Sequence, residues 1–224
     1  MNALFASLIP LLIATTAPAA KPAASALPLV EVASKGRGDT LVVIVSGDGG
    51  WAAIDKTMAR SFADAGMPVV GLNALQYFWT RRTPEGAARD LQTILTIYEA
   101  RWRKSRVVLV GYSRGADVLP AMVNRLPEAT QSKIRAIALL GPSPIVQFEF
   151  HMSDWLRDSK SGLPVKPEVD RLKSPVLCIW GEDDKDSLCP SLTSATVRPI
   201  KLKGAHHFDG GYEKLATMIM EQLH

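Results

Sequence analysis

The chain predicts an α/β architecture, a mostly parallel, doubly wound sheet with helices on both faces. Six short β-branched runs alternate with stretches of helical period, the pattern of a parallel sheet built from βα units. The runs are almost continuously apolar, as strands buried on both faces must be. The 224 residues, 47% hydrophobic and 21% charged, supply the core of one ordinary domain and carry no bias toward disorder.

The opening residues have an apolar centre, Ala3 to Ala14, followed by Ala17-Pro18-Ala19, an A-x-A cleavage pattern with Ala20 one residue on. Residues 1–20 therefore read as an export signal, although no Lys or Arg precedes the apolar run. That run is interrupted by Ser7 and Pro10 and is shorter than the roughly 18 residues a membrane span needs. Residues 21–27 read as a flexible linker, and residues 28–224 as the folded domain.

The strands expected within it are 41–46, 68–72, 106–111, 133–140, 175–180 and 197–202. Between the first two, Ile54, Met58 and Phe62 recur every four residues and stop at Gly66. A longer stripe of Ala87, Leu91, Ile94, Leu95, Tyr98 and Trp102 opens at Thr83-Pro84, a capping residue followed by a first-turn proline. A third helix is expected from Arg114 to Leu126, bent at Pro120, and a last one carrying Leu215, Ile219 and Leu223. Gly141 to Lys173 holds no clear strand and reads as a small cap, with Phe148, Phe150 and Trp155 as its apolar wall or as ordinary core.

Gly111-Tyr112-Ser113-Arg114-Gly115 directly follows one strand and opens a helix, the setting a G-x-S-x-G elbow requires. A strand-to-helix turn exposes the Ser113 hydroxyl, and glycines on either side let neighbouring backbone pass close by. A serine needs a base to take its proton and a carboxylate to orient that base. In the hydrolase order, Gly181-Glu182-Asp183-Asp184-Lys185-Asp186 follows one later strand and Gly204-Ala205-His206-His207-Phe208 the next. Doubly wound sheets place their sites at those strand ends. His207, just before Phe208, is the favoured base and His206 the runner-up. Asp184 stands three residues after Gly181 and Asp186 four before Pro190, so both stay open as the orienting acid. The loop Ser46-Gly47-Asp48-Gly49-Gly50-Trp51 sits where the second oxyanion element belongs. The backbone amides of Asp48 and Arg114 are the expected pair, and Asp48, Gly49 and Trp51 are expected to meet substrate. The Asp48 carboxylate itself can pair with Arg114 or attract a substrate cation. No Lys-Ser/Thr follows the glycines, which argues against a nucleotide loop.

SGDGGW (46–51), GYSRGADVLP (111–120), GEDDKDSLCP (181–190) and GAHHFDGGY (204–212) together resemble the VirJ/AcvB family of bacterial virulence proteins, a branch of the α/β-hydrolases. The resemblance implies an α/β-hydrolase fold with a small lid or none, and a periplasmic serine hydrolase. The implied substrate is the aminoacyl ester of lysyl- or alanyl-phosphatidylglycerol, met at the membrane surface, with an association to type IV secretion. Asp48, Asp183 and Asp186 are the candidates to receive the substrate ammonium. Two other readings stand beside this one: a non-catalytic periplasmic binding or assembly factor of a secretion system, and a general carboxylesterase.

The remaining features are less specific. The net charge of +4 is dispersed, so nucleic acid is not an expected partner. Trp79-Thr80-Arg81-Arg82 and Arg101-Trp102-Arg103-Lys104 are candidates to touch a phosphate-rich membrane surface, or are ordinary helix-end charges around a core tryptophan. Cys178 and Cys189 either close a short disulfide loop or leave Cys178 as a small buried hydrophobe. Two cysteines and four histidines show no repeated ligand spacing, so neither a metal nor another cofactor is expected.

Overall fold

The computed structural model describes residues 27–149 and 162–223. The expected export signal, most of the linker, and Phe150 and Trp155 of the expected cap lie outside these residues.

Seven strands form the main sheet: β1 (Leu29–Val32), β2 (Thr40–Val45), β3 (Val69–Leu72), β4 (Arg106–Tyr112), β5 (Ile134–Leu140), β8 (Val176–Gly181) and β9 (Val197–Leu202). Their order is β1-β3-β2-β4-β5-β8-β9, all neighbours being parallel except β1 against β3. The six expected strands are all present to within a residue or so at each end. The edge strand β1 is the addition.

Alternation within the central strands divides the core in two. Leu41, Val43 and Val45 of β2 and Val107 and Leu109 of β4 face α3 (Pro84–Trp102) and α4 (Arg114–Val123). Val42, Ile44, Val108 and Val110 face α1 (Ala53–Asp64) and α7 (Tyr212–Glu221). Both sets are fully buried, so these strands have no solvent face, as their unbroken apolar sequence requires. Thr83 caps α3 by accepting from the Gly86 amide at 3.0 Å, with Pro84 in the first turn. Helix α4 ends at Val123, three residues short of expectation, with Pro120 inside it.

The stretch expected to hold no strand contains an antiparallel pair, β6 (Ile145–Val146) and β7 (Leu163–Pro164), followed by α6 (Val165–Asp170). Short helices α2 (Ala74–Tyr77) and α5 (Glu128–Gln131) complete the described elements. Cys178 of β8 and Cys189 are joined in a disulfide, and both are fully buried.

Of the two basic-aromatic patches, the second is largely engaged within the fold. Trp102 packs on Tyr98 with ring centroids 4.9 Å apart, Arg101 donates to Glu31 at 2.7 Å, and Lys104 bonds the Gly38 carbonyl. In the first, Arg82 lies over the Tyr77 ring while Trp79 is 62% exposed.

Candidate active site

Ser113 stands between β4 and α4 with φ 51° and ψ −120°, a left-handed conformation that a serine rarely adopts. Such strain persists only where the surroundings enforce it. They do so through close backbone contact. A Cβ on Gly111 would lie 2.5 Å from the Gly115 carbonyl oxygen, and one on Gly115 only 2.0 Å from the Val45 oxygen. The Ser113 amide is tied to the Leu140 oxygen at 2.9 Å. The turn thus presents the hydroxyl at the carboxyl end of the sheet, above the amino terminus of α4.

Ser113 lines a cavity of about 240 Å³ together with Gly47, Asp48, Gly49, Gly50, Ala52, Ala53, Ile54, Tyr112, His206, His207 and Tyr212. The two adjacent histidines take different partners there. His206 Nδ1 lies 2.7 Å from Asp184 Oδ2, and His207 Nδ1 lies 2.7 Å from the Tyr112 hydroxyl. A carboxylate can only accept, so His206 carries its proton on Nδ1 and keeps a lone pair on Nε2. Burial holds the Tyr112 phenol well above its ordinary pKa, so it remains a donor. His207 Nδ1 therefore has a partner that can give or take the hydrogen, whereas the partner of His206 Nδ1 can only take it. Only His206 is thereby held in the tautomer that can take a proton from serine.

In the structure it is His206, the runner-up, that pairs with Asp184, one of the two acids left open, while the favoured His207 pairs with Tyr112. Asp186 is exposed and makes no hydrogen bond among the described residues. The turn that bonds the Asp184 amide to the Gly181 oxygen at 3.0 Å directs Asp184 inward. Asp183 is also exposed, and neither it nor Asp186 lines the cavity.

The Gly47–Gly50 loop closes on itself through the Gly50 amide and Gly47 oxygen at 3.0 Å, and a Cβ on Gly47 would lie 3.2 Å from Ser113 Cβ. The loop therefore packs against Ser113, and Asp48 lines the same cavity, while Arg114 opens α4 directly after Ser113. The Asp48 carboxylate is engaged by the Arg114 guanidinium, which also donates to the Gln147 oxygen at 2.7 Å and the Glu149 oxygen at 3.2 Å. Of the two roles open to Asp48, the ion pair is the one present. Trp51 does not line the cavity; its ring lies over Gly71 of β3, where a Cβ would come within 2.2 Å. Its expected substrate contact is replaced by packing.

Three contributors escaped the sequence reading. Gly141, at the end of β5 with φ 58°, leaves room for His206: a Cβ there would lie 2.8 Å from the ring Cε1 and 3.4 Å from Asp184 Oδ2. Tyr112 fills a variable position of the elbow motif, so nothing in the motif marks its contact with His207. Asp117, buried one turn into α4, accepts from the Ser143 amide at 2.6 Å, and burial raises its pKa well above the carboxylate range. It ties the nucleophile helix to the loop that follows Gly141. A glycine or an acid beside a strand end is the only trace such roles leave in sequence.

Est1E from Butyrivibrio proteoclasticus, solved with ferulic acid bound, is similar to this chain with a TM-score of 0.63 and 14% identity, over 87% of this chain and 93% of that one. The Pyrococcus furiosus esterase Pf2001 gives 0.61 and 15% over 88% and 91%. An alpha-beta serine hydrolase homologue from Coxiella burnetii gives 0.58 and 17% over 88% and 91%. The chain has the α/β-hydrolase fold. No curated protein matches it. The family model described as Bacterial virulence protein (VirJ) matches residues 39–224.

Proposed function

The chain belongs to the VirJ family of bacterial virulence proteins, and on that premise we propose that it is a serine ester hydrolase that removes the aminoacyl group from lysyl- or alanyl-phosphatidylglycerol at the periplasmic face of a membrane. The observation that carries the hydrolase reading is the His206–Asp184 bond of 2.7 Å in the cavity that Ser113 lines. A scaffold without turnover has no physical need for a base held in that tautomer.

Chemically, the Ser113 oxygen attacks the ester carbonyl carbon while His206 Nε2 takes the hydroxyl proton. Asp184 stabilises the imidazolium that results. The carbonyl oxygen becomes an oxyanion against the Asp48 and Arg114 amides, each such donor contributing about a hundredfold or more to the rate. His206 returns its proton to the departing glycerol oxygen, the ester C–O bond breaks, and phosphatidylglycerol leaves. Water, deprotonated by His206, then attacks the acyl-serine. The amino acid is released and Ser113 regains its proton.

Two assays test this reading. A fluorophosphonate probe should label the protein, and labelling should vanish in Ser113→Ala and fall about ten-thousandfold in rate in His206→Ala. Mass spectrometry of vesicles containing lysyl-phosphatidylglycerol should detect released lysine. Labelling without lysine or alanine release, alongside turnover of a nitrophenyl ester, would favour a general carboxylesterase. Absence of labelling would refute the hydrolase.

A further inference from the structure

Asp48 and Arg114, whose main-chain amides are the expected oxyanion donors, are also joined through their side chains. The Arg114 guanidinium donates from Nε to one Asp48 carboxylate oxygen and from Nη2 to the other at 3.3 Å. A two-point contact of this kind fixes orientation as well as distance, which a lysine ammonium cannot do. From its other side the guanidinium is held by the Gln147 and Glu149 carbonyls, 2.7 and 3.2 Å from Nη1. The Arg114 side chain is only 11% exposed, so solvent and salt screen the pair less than they would a surface bridge.

The loop that this pair fastens has little else to define its tip. Residues 47, 49 and 50 are all glycine, and a Cβ on Gly49 would meet nothing within 4 Å. The loop's ends are secured, by the Gly50 amide on the Gly47 oxygen at 3.0 Å and by Ser46 Oγ, which accepts from the Ala74 amide at 2.9 Å. The Asp48 amide makes no hydrogen bond among the described residues. Its N–H is therefore available to a developing negative charge, and its direction is left to the Asp48 side chain. Arg114 belongs instead to the start of α4, which the close approach of Gly115 to the Val45 oxygen holds against the sheet. The ion pair runs from a rigid element to a pliant one.

We propose that Arg114 is a positioning residue: its side-chain ion pair with Asp48 fixes the spacing of the two oxyanion amides, and so acts on the transition state and not on the binding of substrate. This rests on the ester hydrolase reading and deepens it, giving the variable residue after the nucleophile a role through a side chain that does not touch the reacting atoms.

Three readouts test it: the rate of fluorophosphonate labelling, nitrophenyl acetate turnover, and inhibition by an alkyl trifluoromethyl ketone. The ketone carbon takes the Ser113 oxygen, the hydroxyl proton passes to His206, and the carbonyl oxygen is left as an anion where that of an ester would stand. Arg114→Gln and Asp48→Ala should each lower kcat and the labelling rate about ten- to a hundredfold and weaken the ketone by the same factor, with KM within about threefold. The double variant Asp48→Ala/Arg114→Gln should be no worse than either single one, since each already breaks the same link. Arg114→Lys keeps the charge and the side-chain stem and loses only the fork, so it tests the geometry even where the truncated variants do not fold; it should lose about tenfold in kcat. If the guanidinium acted through its charge, Asp48→Ala would unmask that charge and raise kcat while Arg114→Gln lowered it. Such opposite signs would overturn the proposal, as would a lowered Tm with kcat and ketone affinity unchanged, or a loss carried by KM. A wild type that the probe does not label removes the hydrolase reading and the positioning role together. A labelled wild type whose variants react at the same rate removes the positioning role alone.

Discussion

Removing the Cys178–Cys189 disulfide separates what stabilises the acid loop from what shapes it. The bond spans 11 residues, among them Asp184. On the chain-entropy relation a loop of that size contributes about 2.8 kcal/mol by restricting the unfolded chain. The described part of the fold holds about 185 residues, so its unfolding entropy near the midpoint is about 0.4 kcal/mol/K and the expected fall in Tm is about 7 °C. Activity should respond differently. The same loop is fastened by the Asp184 amide on the Gly181 oxygen at 3.0 Å and the Leu188 amide on the Pro142 oxygen at 2.7 Å, both independent of the sulfur bond. Below the transition, kcat should therefore remain within about threefold. The measurement compares protein refolded with and without reductant, followed by circular dichroism and ester turnover. The Cys178→Ala/Cys189→Ala variant is melted in both buffers to subtract any effect of the reductant itself. A Tm change under about 2 °C would refute the entropic argument. A tenfold loss of kcat at 25 °C would show that the backbone bonds do not hold Asp184 in place.

The glycines supply a second set of expectations. Gly115→Ala should prevent folding or cost more than about 3 kcal/mol in urea melts, because its Cβ would meet the Val45 oxygen at 2.0 Å, whereas Gly49→Ala, with nothing within 4 Å, should stay within about 0.5 kcal/mol. Gly141→Ala should fold, at a cost of about 1–3 kcal/mol, yet lose about a hundredfold in kcat, since its Cβ would displace His206 from Asp184; unchanged kcat would remove Gly141 from the site. Asp55 is fully buried with one oxygen unpartnered, and burial pushes its pKa from an ordinary 3.8 up to about 6. The folded protein then holds a proton that the unfolded chain releases. The associated stability, about 3 kcal/mol, is present in full below pH 3.8 and is lost as pH rises through about 6. Asp55→Asn keeps an acceptor for the Ala52 amide and should remove that part of the slope in urea melts between pH 4 and 7; curves parallel to the wild type would contradict it.

The interior strands were legible because burial on both faces writes itself as an unbroken apolar run. β1 was not, since an edge strand of four residues with the sequence LVEV and a half-buried profile lacks that signature. The elbow was legible for a related reason. Its glycines answer to backbone contacts within and beside the motif, so their spacing alone identifies the turn. The choice between His206 and His207 depends on contacts made far along the chain. It is decided by Asp184, 22 residues earlier, by Tyr112, 95 residues before His207, and by the missing side chain of Gly141. The loop carrying the pair runs through positive φ at Gly204, Phe208 and Asp209, so no strand-like or helix-like period relates the directions of its side chains. A motif that places a histidine just before a phenylalanine records where the loop stands in sequence, whereas the chemistry follows from which atom each Nδ1 meets. A carboxylate there fixes the proton on Nδ1 and leaves Nε2 able to accept one, whereas a phenol, which both donates and accepts, fixes neither. Two identical side chains, adjacent in sequence, are distinguished because one meets a group that can only accept a hydrogen and the other a group that can also give one.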